Sequence, residues 1–394
     1  MITTPTIRAL SATLFYATAA PALAQEPSRP ATPAPTASPG GLTQVARFDH
    51  QVTGVTVTKD GRIFVNFPRW TEDAPVSVAE LKDGKPVPYP NAEWNAWRNA
   101  RKDTLDPKTH FVCVQSVVAD PHDRLWVVDA AAPAMAALVK DGPKLVGIDL
   151  KTNAVTKTIA FDPSIAPQGS YLNDVRISPD GKTAYLTDSG AEGALIVVDI
   201  DSGSAKRLLA GAPATMPDKS VTVTYDGKPL RRPDGRGVEF AADGIALSPD
   251  GGTLYWQAIK GKTLYSLPTD ALTGWATAAI VPESLSDRSL TAKIATIGEN
   301  GPADGLIIAR SDGRMYVTSP QDDAIKVREL GGNNAGLTTL VQDPRLRWPD
   351  TFSEGPDGTL YVTTSHIQDS AFYRPDAPIS LPTELWSFKP SAPR

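Results

Sequence analysis

One motif recurs along this chain: an apolar-alternating run, a turn bearing Asp or Gly, and a second run rich in Val, Leu and aromatics. The copies read GVTVTKDGRIFVNF, SVVADPHDRLWVVDA, DVRISPDGKTAYLTDS, GIALSPDGGTLYWQA, GLIIARSDGRMYVTS and TFSEGPDGTLYVTTS. Their turn aspartates are Asp60, Asp123, Asp180, Asp250, Asp312 and Asp357, spaced roughly 45 to 70 residues apart. Alternation marks half-buried strands, and Asp-Gly between two such runs marks a hairpin because Gly supplies the positive φ. Several copies continue into further strands, such as GALIVVDIDSGSAKRLL and KTLYSLPTD. Four strands in each of six units predict an all-β fold, a six-bladed β-propeller, which closes radially and leaves few open edges. Two packed sandwiches account for the strands but not for the recurrence.

Three segments follow. Residues 1–24 carry Arg8, an apolar stretch and Ala22-Leu23-Ala24, the pattern of a signal peptide cut after Ala24. A secreted or periplasmic protein is expected, with no membrane span in the mature chain. Residues 25–41 are a Pro/Ala/Ser/Thr-rich linker expected to be disordered, and 42–394 hold the propeller. A formal net charge of −5 and the lack of a Lys/Arg run argue against a nucleic-acid partner. Cys113 is the single cysteine, so no intrachain disulfide forms, and HFVCVQSVV reads as a buried strand.

The geometry of a propeller brings the start of each inner strand and the end of each second strand to one face of the central channel. The starts are Thr53, Ser116, Asn173, Asp243, Asp304 and Asp350; the ends include Asp188 and His366. Asn173, Asp243 and Asp304 form an oxygen set suited to a divalent cation such as Ca²⁺. Without a cation the carboxylates repel, and one titrates at a raised pKa, as a general base at Asp243 or Asp304 would. The alternative is that each Asp caps its own strand. By strand alternation Asp174 faces away from the channel. Asp188 and His366 are ligand-binding candidates, His366 also as a weak general base. Trp70, Trp94 and Trp97, in the long connection after the first hairpin, are candidates for an apolar lid over a ring-bearing ligand; loop packing is the alternative. There is no HExxH, GxSxG, Walker or GxGxxG motif.

The segments PYPNAEWNAW, DRLWVVDA, PKLVGIDLKTNAVTKTI, AYLTDSGAEGALIVVDIDSGSAKRLL and FAADGIALSPDGGTLYWQAIKGKTLYSLPTDAL resemble the major royal jelly protein/yellow family. The resemblance implies a secreted six-bladed propeller. Members include proteins linked to dopachrome conversion and salivary proteins that bind biogenic amines in the channel. A more distant similarity is to gluconolactonase/regucalcin-like propellers, which hold a divalent metal with Glu, Asn, Asn and Asp. By place in the repeat, Asn173 matches the first Asn, Asp243 stands at the second, Asp304 matches the Asp, and Thr53 stands where the Glu would be. The expectation is a small-molecule-binding propeller, with a metal-assisted lactonase or dopachrome-converting enzyme as the alternative.

Overall fold

In the computed structural model, the Asp-Gly pairs turn as the sequence predicts. Gly61, Gly181, Gly251, Gly313 and Gly358 sit at φ between 71° and 84°. The preceding Asp fixes the loop by accepting backbone N–H groups two residues on, as Asp180 does from Lys182 at 3.1 Å and Asp357 from Thr359 at 3.1 Å. The second hairpin departs from this. Asp123 itself takes the glycine's place at φ 59°, and Asp120 does the accepting, from His122 and Arg124. Asp is among the few L-residues that tolerate that region.

The structure describes residues 41–71, 73–273, 287–331, 336–376 and 380–390, together with Met1. The expected signal peptide and nearly all of the linker lie outside the described residues. The strands described form six four-stranded antiparallel sheets and one two-stranded ribbon. The inner strands of blades one to six are Val55–Val57, Val114–Ala119, Leu172–Ile177, Ala242–Leu247, Leu306–Ile308 and Pro349–Glu354. Five blades run outward in chain order. The sixth takes its outermost strand, Thr43–Phe48, from the start of the domain, paired with Thr383–Phe388 near its end. This closure joins the two ends of the ring and hides an otherwise open edge.

Apolar faces pack between neighbouring blades. Phe64 and Val78 of blade one meet Val117, Leu125 and Val127 of blade two. Ala246 and Leu264 of blade four meet Leu306, Met315 and Val317 of blade five. Among the described residues no helix is long and apolar enough to cross a membrane.

The feature that shapes the channel is a bulge near the start of four inner strands. Pairing slips between Val114 and Ser116, Leu172 and Val175, Ala242 and Ile245, and Pro349 and Phe352. A bulge inserts one residue against the partner strand and re-aims side chains. The inserted stretches carry Gln115, Asn173-Asp174, Asp243-Gly244 and Asp350-Thr351. The next blade approaches closely here. A Cβ on Gly244 would lie 2.0 Å from the Asp304 carbonyl oxygen, and one on Gly305 would lie 1.9 Å from that of Asp350. Thr187 Oγ1 donates to the Asp243 carbonyl at 2.6 Å. The main chain of these aspartates is thus used in blade-to-blade contact, and their carboxylates are left to face the channel.

Candidate functional site

The bulged residues converge on one small cavity, with about 10 Å³ of room for the centre of a water-sized sphere. That is space for one water or one small ion. Its polar wall is Gln115, Asn173, Ser189, Asp243, Asp304 and Asp350; its apolar wall is Trp70, Met135, Tyr171, Phe240, Ile259 and Ile367. Asn173, Asp243, Asp304 and Asp350 are all buried. No Lys, Arg or His is among the described residues that line it.

Carboxylates gathered without a cation must keep protons. Burial pushes Asp243 well above the ordinary carboxylate range, and Asp304, Asp174 and Asp350 add to the rise. Burial also raises Asp304, to about 7, against the indole N–H of Trp348, which donates to its Oδ2 at 2.7 Å. Asp304 adds to the rise at Asp243, so the two carboxyls titrate as a pair and keep protons rather than each carrying a charge. Asp350 is raised by burial and by Asp304, with Ser365 and Thr351 pulling it down. The cluster is a buried acid whose charge is set by protonation.

Hydrogen bonds tie the wall together. Trp70 Nε1–H donates to the Tyr171 hydroxyl, which donates to Gln115 Oε1 at 3.1 Å. Asn173 Nδ2 donates to Ser189 at 3.2 Å. Among the described residues, no three His, Cys, Asp or Glu side chains are drawn into one metal-holding group. The set expected from the sequence, Asn173 with Asp243 and Asp304, needs only two acids and an amide oxygen, and all three line the same cavity.

Other expectations need correction. Asp174 was expected to face away from the channel. The bulge breaks the alternation: Asp174 is buried, 3.8 Å from Arg176, and close enough to raise Asp243, Asp304 and Asp350. In blade two the same effect brings Gln115, rather than Ser116, to the cavity.

Asp188 accepts from Ser170, from Tyr171 N at 2.7 Å and Gly190 N at 2.8 Å, and pairs with Arg207 at 2.6 Å. It ties a loop to its strand, as Asp129 does in blade two with Val112, Cys113 and Lys144. Neither aspartate is among the described cavity residues. His366 turns aside at φ 51°, its Nδ1 on Ser380 and its Nε2 3.2 Å from Glu384, and it is the next residue, Ile367, that reaches the cavity.

Of the three tryptophans, only Trp70 lines the cavity. Trp94 packs on Phe111 with ring centroids 5.0 Å apart, and Trp97 is wholly buried against Val112 and Ala131. The cover over this end of the channel comes instead from residues 209–241, between blades three and four. Phe240 lines the cavity, while Val223, Tyr225 and Val238 join the apolar cluster of Trp70, Ile367 and Tyr373. The segment is pinned to blade five: Thr224 N donates to Gln321 at 2.7 Å, and the Tyr225 hydroxyl to Asp323 at 2.5 Å. Sequence reasoning missed this cover, along with Gln115, Tyr171 and Trp348. Trp348, two residues before Asp350, was signalled only by its place at the mouth of the sixth inner strand.

Solved structures share this architecture. A gluconolactonase from Xanthomonas campestris is 13% identical with a TM-score of 0.53, covering 91% of this chain and 98% of its own. A calcium-binding regucalcin from Agrobacterium tumefaciens is 16% identical with a TM-score of 0.50, covering 88% and 92%. A luciferin-regenerating enzyme is 12% identical with a TM-score of 0.50, covering 89% and 95%. At such identities the likeness establishes the propeller fold. None of the curated protein sequences matches this chain. The family profile of the major royal jelly proteins matches residues 112–376, more than half of the chain, and so takes in the second hairpin, the acid cluster and the cover. The chain belongs to the major royal jelly protein family.

Proposed function

We propose that this chain is an exported propeller that binds a small organic cation, a ring-bearing amine, at the acid cluster of its central channel. The observation that carries this reading is the burial of Asp243, Asp304 and Asp350 beside Asn173 with no basic residue among the described cavity walls. An ammonium group supplies the missing positive charge and three N–H donors, and it replaces the protons that the carboxyls otherwise keep. Trp70, Tyr171 and Phe240 supply aromatic surface for the ring and for cation–π attraction.

The cavity holds an ammonium-sized group and no ring, since pockets for drug-sized ligands measure roughly 300–1,000 Å³. Binding therefore draws on a state in which the 209–241 cover has moved, and association is slower than diffusion. Calorimetric titration with tryptamine, against its neutral hydroxyl analogue tryptophol, tests the reading. The amine binds and the alcohol binds at least about tenfold more weakly, as expected for hydrogen bonds to charged groups. An absence of heat from tryptamine and other arylalkylamines refutes it.

A second reading rests on the same cavity. Asn173 Oδ1, Asp243 and Asp304 are hard oxygen donors around space for one small sphere, and these residues fit a divalent cation such as Ca²⁺. A cation there would supply Lewis acidity toward a carbonyl or water, as a lactonase requires. In this reading the chain's own residues hold the cation and Asp304, oriented by Trp348, is the proton acceptor. Metal analysis of the purified chain, with thermal unfolding before and after chelation, separates the two. Co-purifying metal and a lower midpoint on chelation favour the enzyme; an unchanged midpoint favours the amine site.

A further inference from the structure

The opposite mouth of the channel, on the face of the Asp-Gly turns, opens into a second cavity of about 470 Å³ to which all six inner strands contribute. This is within the range of small-molecule sites. Val57, Val118, Ile177, Leu247, Ile308 and Phe352 give it an apolar wall.

Its inner end holds a guanidinium. Arg176, three residues beyond Asn173 on the third inner strand, reaches across to the fifth blade, where Nη2 donates to the Leu306 carbonyl at 2.8 Å. Nη1 donates to the Val175 carbonyl at 2.7 Å. The nearest carboxylate, Asp174, is 3.8 Å away, beyond hydrogen-bond distance. These two bonds account for part of a five-donor fork that stays charged even when buried. Arg176 thus stands between the acid cluster on one side and the apolar vestibule on the other.

The acids at the vestibule's rim are already engaged. Glu354 accepts from Arg310 N at 2.7 Å and Ser311 N at 2.8 Å and pairs with the Arg310 side chain at 3.2 Å. Asp120 pairs with Arg124 at 2.7 Å and accepts from Trp126 at 2.8 Å. What the vestibule offers an entering molecule is therefore an apolar funnel ending at one incompletely paired guanidinium.

We propose that this vestibule is a second ligand site, for a small amphiphilic monocarboxylate whose head group pairs with Arg176 and whose apolar body fills the funnel. Carboxylate matches the guanidinium fork, and one half-buried guanidinium, held by Asp174 only at 3.8 Å, matches a monoanion better than a dianion. The site differs from the acid cluster in sign, in position and in the chemistry that it selects.

Calorimetric titration of the full chain with 4-phenylbutyrate and with 4-phenylbutanol, which share one apolar body, tests this. The acid binds, and the alcohol binds at least tenfold more weakly. Arg176→Met abolishes the difference between them. Because Arg176 also bridges two blades and its loss can disturb folding, Leu247→Trp provides an independent arm: it fills the funnel from the fourth blade, leaves Arg176 itself in the chain, and removes phenylbutyrate binding. The proposal is overturned if phenylbutyrate gives no heat, if the alcohol binds as well as the acid, or if folded Leu247→Trp keeps wild-type affinity for the acid.

Discussion

Asp304→Asn should make the propeller more stable at neutral and alkaline pH, and the gain follows from the carboxyl's environment. Burial raises Asp304 from 3.8 to about 7. The native state therefore holds a proton that the unfolded chain has already released over that interval. Unfolding free energy consequently falls as pH rises from the unfolded pKa through the folded one, by about 1.4 kcal/mol per pH unit. Across the full interval the loss is at most about 4 kcal/mol.

Asn keeps an oxygen for the Trp348 indole N–H and carries no titrating group. Denaturant unfolding of wild type and Asp304→Asn at pH 4 and pH 8 measures the difference. The wild type should lose up to about 4 kcal/mol more than the variant between the two conditions. Parallel pH profiles for the two proteins would show that Asp304 is ionised in the fold at ordinary pH, and the reasoning would fail.

Other consequences are as concrete. Gly305→Ala places a Cβ 1.9 Å from the Asp350 carbonyl oxygen, so blades five and six must separate. Expression or denaturant unfolding should show a loss of about 3 kcal/mol or failure to fold. Lys144→Met leaves Asp129 buried without its 2.6 Å partner, and unfolding measurements should give a loss of roughly 3–5 kcal/mol. Truncation of the closing strand at Phe48 removes the partner of Thr383–Phe388, and a sharp fall in thermal midpoint with exposed-edge aggregation is the expected result.

The parts of the molecule legible in its sequence were those governed by local rules. Alternating runs and Asp-Gly turns signal hairpins because the pleat and the positive φ act within a few residues. They placed all six inner hairpins, and Asn173, Asp243, Asp304 and Asp350 do share one cavity. What escaped depends on distant partners. The bulges that turn Gln115 and Asp174 shift the register by one residue, which the alternating pattern of the strands does not record.

Asp188 and His366 illustrate the cost of counting positions alone. Both stand at the expected ends of second strands, yet Arg207 and Ser380 draw their side chains elsewhere. The tryptophan-rich connection appeared suited to a lid by composition. The residues that cover the channel, in 209–241, carry a weaker aromatic signal and are held by Gln321 and Asp323, far along the chain.

The claim at the centre of this account is that the acid cluster exchanges protons for an organic cation. Titration of the protein with tryptamine at pH 6, in two buffers of different ionisation enthalpy, counts the protons released on binding. The account predicts binding with release of about one proton per amine, lost in Asp243→Asn. Tryptamine binding without proton release, or an amine affinity unchanged in Asp243→Asn, would contradict it.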